Sequence, residues 1–398
     1  MLRRLLAVTS TMAIVAASLL AAPHPAGAGV PPPQGLCGVT VTADTVLHED
    51  LVDCPDRGIL IGADDLILDL NGHRNDGDGS LVRECPDRTT CDVGVDNSAG
   101  HEGLRVIGGS ITDFGVGVLV VSADRNSLSR LDIRNNFFAG AAFTGSDGAR
   151  VVDSVIAHNG LTHRDPGLVL LDTSHSVVKR NRLSGNGNSG VLLAGRSEAN
   201  QVLQNTIVDN VMAGIVIADA DKNVVRGNRV RRNGDGIVVS GDANRVSWNS
   251  IDEAIGCPGA GCGSGISLQG GAQNVVARNA VRGARTGIRV EGLTASVVST
   301  IVRRNVVEDA SLDGIAVNAE NAGPVLDTLV ARNLARRAGD DGLDVASAST
   351  TLTDNVAVRD GDLGIEAVAG VVDGGGNRAR RNGNPLQCTA VVCDDARG

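Results

Sequence analysis

Residues 188 to 251 decide the fold. They read Asn188-Ser-Gly190-Val-Leu-Leu193, then Asn200-Gln-Val-Leu-Gln-Asn205-Thr-Ile-Val-Asp-Asn210. The same sentence returns as Gly214-Ile-Val-Ile217 with Asn223-Val-Val-Arg-Gly-Asn228-Arg-Val-Arg-Arg-Asn-Gly234. It returns again as Gly236-Ile-Val-Val239 with Asn244-Arg-Val-Ser-Trp-Asn249-Ser-Ile251. Self-similarity at a fixed period names an architecture before any single residue is interpreted.

Outward from this window, the Gly-apolar-x-apolar tetrad recurs at Gly117, Gly140, Gly167, Gly190, Gly214, Gly236, Gly265, Gly287, Gly314, Gly342 and Gly364, in steps of 22 to 29 residues. An Asn recurs inside the units at 181, 205, 228, 249, 279, 305, 333 and 355, with Leu131 and Ser154 in that place earlier. Each unit holds short alternating runs of Val, Ile and Leu, the period-two signature of half-buried strands, separated by Asn-Gly and Asp-Gly turns. No stretch after residue 30 sustains a helical period. The chain is expected to be all-β, one coil of a parallel β-solenoid per unit, because a single coil cannot bury its own apolar edge and stacking can. The recurring Asn is expected at a sharp bend, in the left-handed region it tolerates, its amide stacking on the next coil's.

The pattern resembles the right-handed parallel β-helix of the pectin-lyase-like superfamily. It is most similar to secreted bacterial proteins built from short parallel β-helix repeats, including the nitrous-oxide-reductase accessory β-helix group. Leu66-Ile-Leu-Asp-Leu-Asn-Gly-His73 resembles the entry coil of that group, and Gly374-Gly-Gly-Asn377 with Asn384-Pro-Leu-Gln-Cys388 resembles its exit. The likeness spans about Cys37 to Cys393. It implies a single right-handed parallel β-helix of about 11 to 13 coils. A superfold of this kind hosts many unrelated activities, so the likeness is specific for fold and not for reaction.

Residues 1–28 read as a secretory signal: Arg3 and Arg4, an apolar run from Leu5 to Ala22, and Ala26-Gly-Ala28 as a small-x-small cleavage site. Residues 29–36 are a Pro-rich lead, and 37–398 are the β-helix domain. Within it, 74–103 read as a long loop excursion and 373–398 as a C-terminal cap. No later segment is apolar enough to span a bilayer as a helix. The expected location is extracellular or periplasmic.

Eight cysteines fall into local pairs, Cys37/Cys54, Cys85/Cys91, Cys257/Cys262 and Cys388/Cys393. An even count behind a secretory signal reads as disulfides between sequence neighbours, the first and last pinning the two ends of the solenoid. The chain carries 36 Lys and Arg against 46 Asp and Glu, net −10, which argues against nucleic acid. Only Lys179 and Lys222 are lysines, and arginines such as Arg226, Arg229, Arg231 and Arg232 read as codon bias rather than an anion-binding stripe. One Trp, Trp248, four Phe and no Tyr leave few faces on which sugars stack and remove Tyr-dependent chemistry.

The x residue of each tetrad points away from its neighbours. It reads Leu119, Val169, Leu192, Val216, Val238, then Ser267, Arg289, Ala316, Asp344, Glu366. The first half is an apolar stripe that calls for a cover, either intramolecular or by self-association. The second half is polar and adjoins Asp313, Asp340, Asp341 and Asp362. Asp313, Asp341 and Asp344 are the candidate acid/base residues, with Arg289 as receiver of a sugar carboxylate. Asp340, Asp341 and Asp344 are the candidate Ca²⁺ ligands, and no other cofactor is indicated. Gly339-Asp340-Asp341-Gly342 resembles the paired-Asp segment of β-helix polygalacturonases, and Leu312-Asp313-Gly314 their preceding Asp. The next coil departs from that family with Gly361-Asp362-Leu363-Gly364, and no His follows His175. His158, His163, Asp165 and His175 form a second group of metal-ligand types. Three functions follow: a structural, interaction or carbohydrate-binding solenoid whose partner is an acidic polysaccharide or cell-surface component, an enzyme on acidic glycans (lyase, epimerase or hydrolase), or a metal-cofactor accessory protein.

Overall fold

The structure is a computed structural model and describes residues 37–80, 92–162, 164–257, 262–293, 295–318 and 323–394. The expected signal at 1–28, the lead at 29–36, and Cys85 and Cys91 lie outside these residues. Every regular element among them is a β-strand. The chain divides into two compact units, residues 1–187 and 188–398.

In the first unit the tetrad strands are Val39–Val41, Arg57–Ile61, Val93–Asn97, Val116–Val121, Ala141–Thr144 and Leu168–Leu171, each parallel to the next and in register. In the second they are Ser189–Ala194, Ala213–Ala218, Asp235–Val239, Ser264–Leu268, Thr286–Glu291, Ile315–Asn318, Leu343–Val345 and Ile365–Ala367. These also pair in parallel, each with its successor one coil on. Two further strands complete each regular coil, as Arg245–Ser247 and Ser250–Asp252 follow Asp235–Val239. The units hold six and eight tetrad strands, more than the 11 to 13 coils expected, because Gly58 and Gly94 open two further tetrads that the sequence reading passed over and Val39–Val41 precedes them. Val93–Asn97 and Arg74–Gly77 also correct the long excursion at 74–103, which contributes two strands.

The alternation buries Ile237, Val239, Ile266, Leu268, Ile288 and Val290 completely between the three faces. The tetrad Gly is required by space. A Cβ on Gly265 would overlap a methyl of Val281 and lie 2.6 Å from the carbonyl oxygen of Gly287, the same Gly one coil on.

The recurring Asn forms the ladder expected of it, and for a different backbone reason. Asn249 donates its backbone N–H and its amide to Oδ1 of Asn279, both at 3.0 Å, and Asn279 does the same to Asn305. The chain of amides continues through Asn333 and Asn355 to Asn377. In the first unit Leu131 donates to the Ser154 hydroxyl and Ser154 to Asn181. None of these ladder residues is left-handed. The residue before each is: Arg180, Gln204, Gly227, Trp248, Arg278, Arg304, Arg332 and Asp354 all have φ between 54° and 68°. The corner therefore splits the two jobs, an exposed residue taking the strain and the next turning inward to stack.

Disulfides join Cys37–Cys54, Cys257–Cys262 and Cys388–Cys393. The first ties the opening strand to its own coil. At the other end the tail folds onto the last tetrad strand: Thr389 donates to Ile365, Ala367 to the Thr389 hydroxyl, and Gly364 to Gln387. That cover matters because an open edge strand offers unpaired backbone groups to other chains. Among the described residues no helix is long and apolar enough to cross a membrane.

Candidate functional site

The polar half of the x column is realised as read. Val238, Ser267, Arg289, Ala316, Asp344 and Glu366 stand opposite one another on successive strands. A second column lies just before each tetrad Gly, and it brings Asp313 and Asp341 to neighbouring coils. Gly287 donates to the Asp313 carbonyl at 3.0 Å and Gly314 to that of Asp341 at 2.9 Å. Oxygen atoms of Asp313, Asp340 and Asp341 lie within 4.8 Å of one another. Asp344 is not part of that triad. It falls in the neighbouring column, beside Glu366, so the oxygen cluster is Asp313–Asp340–Asp341 rather than Asp340–Asp341–Asp344.

Crowding and burial set the protonation. Burial, with a hydrogen bond to Glu366 and the charge of Asp340, raises the Asp341 pKa to about 8, against the pull of the Leu363 N–H on its Oδ1 at 2.8 Å. Burial and the charges of Asp313, Glu366 and Asp340 raise Asp344 to about 6. Asp313 is raised by burial and by Asp340, offset by the Asp341 N–H. At neutral pH the row thus holds a proton on Asp341, while Asp344 in the same row has lost its own. Asp340 and Glu366 are exposed, so the row opens to solvent.

Arg289 lies two coils from Asp344, with only the Ala316 methyl between them in the column. Its Nη1 donates to buried Glu291 at 2.9 Å, and its Nε has no hydrogen-bond partner. Glu291 and Asp235 are site residues that the sequence reading missed. Asp235 occupies the same pre-Gly slot as Asp313 and Asp341, which is the signal that would have found it. Burial raises it to about 6, while N–H groups of Gly263 and Ser264, both at 2.8 Å, favour its charge. Asp235 also lies within reach of Cys257 and Cys262, but those sulfurs are bonded to each other and are no metal ligands.

Among the described residues the histidines form no ligand group. His158 and His175 sit at different corners, each in a left-handed position, and His163 lies outside the described residues. A shallow depression of about 240 Å³ lined by Asp219, Asp221 and Asp242 lies away from the carboxylate row. Asp221 and Asp242 there hold backbone N–H groups of the next coil at 2.7 Å, a structural use.

Residues 93–251 match the family model described as a right handed beta helix region, which gives the solenoid its hand. That match supports the right-handed β-helix and goes no further towards the nitrous-oxide-reductase accessory group. No curated protein matches the sequence. Among solved structures, the catalytic unit of a thermostable GH87 α-1,3-glucanase from Streptomyces thermodiastaticus is 16% identical, with TM-score 0.53 over 85% of this chain and 63% of that one. The Dettilon tailspike protein gives 19% identity and TM-score 0.46 over 72% of this chain and 60% of that one. PfbA, a surface adhesin of Streptococcus pneumoniae, gives 9% and 0.49 over 78% and 83%. The chain thus spans less than two thirds of the glucanase unit and of the tailspike. At these identities the likeness is one of fold.

Proposed function

We propose that this chain is an extracellular carbohydrate-binding β-solenoid, and that its second unit holds the glycan along the carboxylate row from Asp313 to Glu366. The observation that carries this reading is the convergence of Asp313, Asp340 and Asp341 within 4.8 Å, flanked in register by Asp344 and Glu366 on a face open to solvent. Ionised carboxylates accept hydrogen bonds from sugar hydroxyls, and charge-assisted bonds are the stronger kind. The disulfides support an oxidising, extracellular setting. Self-association through the apolar stripe is not part of this reading: Leu119 and Leu192 are buried, and Val169, Val216 and Val238 are half-buried.

A second reading is enzymatic. It is favoured by one observation, the proton that Asp341 retains to about pH 8 while Asp344 loses its own at about 6, which supplies an acid and a base in one row. Asp313, Asp341 and Asp344 then share acid/base work, and Arg289 faces a uronate carboxylate across the Ala316 gap. Ca²⁺ is a competing occupant of the Asp313–Asp340–Asp341 oxygens, since hard cations take carboxylate ligands.

Glycan-array screening over neutral and uronate-containing polysaccharides tests the binding reading. Wild type retains a glycan, and Asp344→Asn weakens it about tenfold, roughly one charge-assisted hydrogen bond. Reducing-end and unsaturated-uronate assays on the retained glycan test the enzymatic reading, with Asp341→Asn lowering turnover about 100-fold or more. Ca²⁺ that raises the melting temperature of wild type but not of Asp340→Asn assigns the triad to the ion. No glycan retained, no turnover and no response to Ca²⁺ would leave a purely structural solenoid.

A further inference from the structure

The arginines of the second unit fall into two sets that sequence alone treats alike. One set is paired. Arg231 meets Glu253 at 3.3 Å, Arg232 meets Asp209 at 2.7 Å, Arg332 meets Asp354 at 3.2 Å, and Arg336 and Arg337 meet Glu308 and Asp309. The other set has no ion pair among the described residues; beside Arg285, Arg359, Arg378, Arg380 and Arg381 elsewhere on the unit, it holds five that fall on neighbouring coils, Arg226, Arg229, Arg245, Arg303 and Arg304. All five are exposed, and none has an ion pair or side-chain hydrogen bond among the described residues. They lie on the coil of Trp248 or within two coils of it; Trp248, the one Trp of the chain, is 53% exposed and carries the Arg278 guanidinium 4.9 Å from its ring centroid.

The register explains why they gather. Arg226, Ser247, Ala277 and Arg303 form one column across four successive coils. Trp248, Arg278 and Arg304 are the corner residues that directly follow the last three of these, each with φ between 56° and 59°. Arg245 stands two residues before Ser247 on the same strand, opposite Val275, and Arg229 on the strand beyond the corner, opposite Ser250. Ser247 and Ala277 are small, so the column is a shallow floor with a guanidinium at each end and an indole along its side. Six guanidiniums without acids repel one another, on a chain whose net charge is −10.

We propose that this Trp248 face binds an anionic polysaccharide, one bearing carboxylate or sulfate groups. Guanidinium forks take such groups bidentately. The exposed indole stacks a sugar ring, and Arg278 fixes its orientation by cation–π contact. Coils repeat at about 4.8 Å, close to the length of one pyranose. Charges on Arg278 and Arg304 therefore recur at the interval of a uronate chain. Arg226 and Arg303, three coil steps or about 14 Å apart, span about three sugars. Nucleic acid is the poorer fit. The disulfides belong to an oxidising compartment outside the cytosol. The face lies at a wall corner, apart from the carboxylate row on the tetrad sheet, and does not depend on that row binding anything.

Because Trp248 is the sole Trp, its fluorescence reports this face directly. The full chain is titrated with polygalacturonate, sulfated dextran, neutral dextran and a single-stranded oligonucleotide. The expected result is a saturable change with at least one of the first two, weakening steeply with added salt, and none with neutral dextran. Arg226→Gln/Arg303→Gln lowers that affinity at least tenfold with an unchanged melting temperature, whereas Arg337→Gln, at an arginine already paired with Asp309, leaves it intact. A second variant, Arg304→Gln, keeps the test decisive where the first fails to fold. No fluorescence change with either polyanion overturns the proposal. So does binding that survives both arginine variants, or an oligonucleotide held as tightly as the polysaccharide. Loss in Asp341→Asn alone would assign the polyanion to the carboxylate row instead.

Discussion

At the scale of single residues, Asp360 shows what a ladder position demands. It sits 3% exposed, where other coils place Asn136, Asn159, Asn186, Asn210 or Asn233. Its Oδ1 accepts from the Ala338 N–H at 2.9 Å and its own N–H donates to Asn382, as an Asn would arrange. Its Oδ2 lies where an amide would donate, and has no partner. Burial raises its pKa to about 6. Between about pH 4 and 6 the unfolded chain gives up this proton while the folded chain keeps it, so stability falls as pH rises through that window and is flat above it. Restoring the amide with Asp360→Asn should raise stability at pH 7 by on the order of 1–3 kcal/mol and by much less at pH 4. Chemical denaturation of both proteins at the two pH values measures it. Equal stability at pH 7 would mean that the carboxyl is already satisfied.

At the scale of the corner, the ladder and the ion pairs look equally regular but differ in worth. Asn249 is 2% exposed and closes bonds to Asn228, Val225 and Asn279. Asn249→Ala strands several buried groups at once, at a cost on the order of 3 kcal/mol. The bidentate pair Arg232–Asp209 repeats the same coil-to-coil stacking on the outside, with side chains 40% and 47% exposed. Water and salt screen it, and the two long side chains lose freedom in forming it. Arg232→Ala should leave the melting temperature within error of wild type. Melting curves of the two variants side by side decide whether inward amides or outward charges hold the corners.

For the molecule as a whole, the buried carboxyls set the response to pH. Burial raises Asp92 to about 7, Asp235, Asp344 and Asp360 to about 6, and Asp341 to about 8. Each is a proton that the folded chain holds and the unfolded chain releases from about pH 4 upward. The lowered carboxyls, such as Asp50, Asp153 and Asp309, are held down by hydrogen bonds at the surface, and their stabilisation fades only as pH falls below about 4. The two windows do not overlap. The melting temperature should therefore be higher at pH 5 than at pH 8, a range in which acids that are only salt-bridged would leave it unchanged. Circular dichroism melts across that range check it, and a rising trend from 5 to 8 would refute the assignment of these acids as buried and protonated.

The sequence by itself determined the β-solenoid, its coils from Gly117 onward and the pairing of Cys37 with Cys54, Cys257 with Cys262 and Cys388 with Cys393. Those features are local or strictly repeated: alternation within a strand, Gly where backbones approach, neighbours in sequence. The x column from Val238 to Glu366 was legible for the same reason, since a fixed period places equivalent residues in line. Only the tertiary structure decided which residue of a corner bends and which stacks, as with Trp248 and Asn249. It also decided that Asp313 meets Asp340 and Asp341 while Asp344 joins Glu366, and that Arg231 and Arg232 are neutralised while Arg226 and Arg303 are not. Each of these depends on what stands one coil away. The number of residues per coil varies, so that neighbour is fixed by the register of stacked backbones and cannot be counted off along the chain.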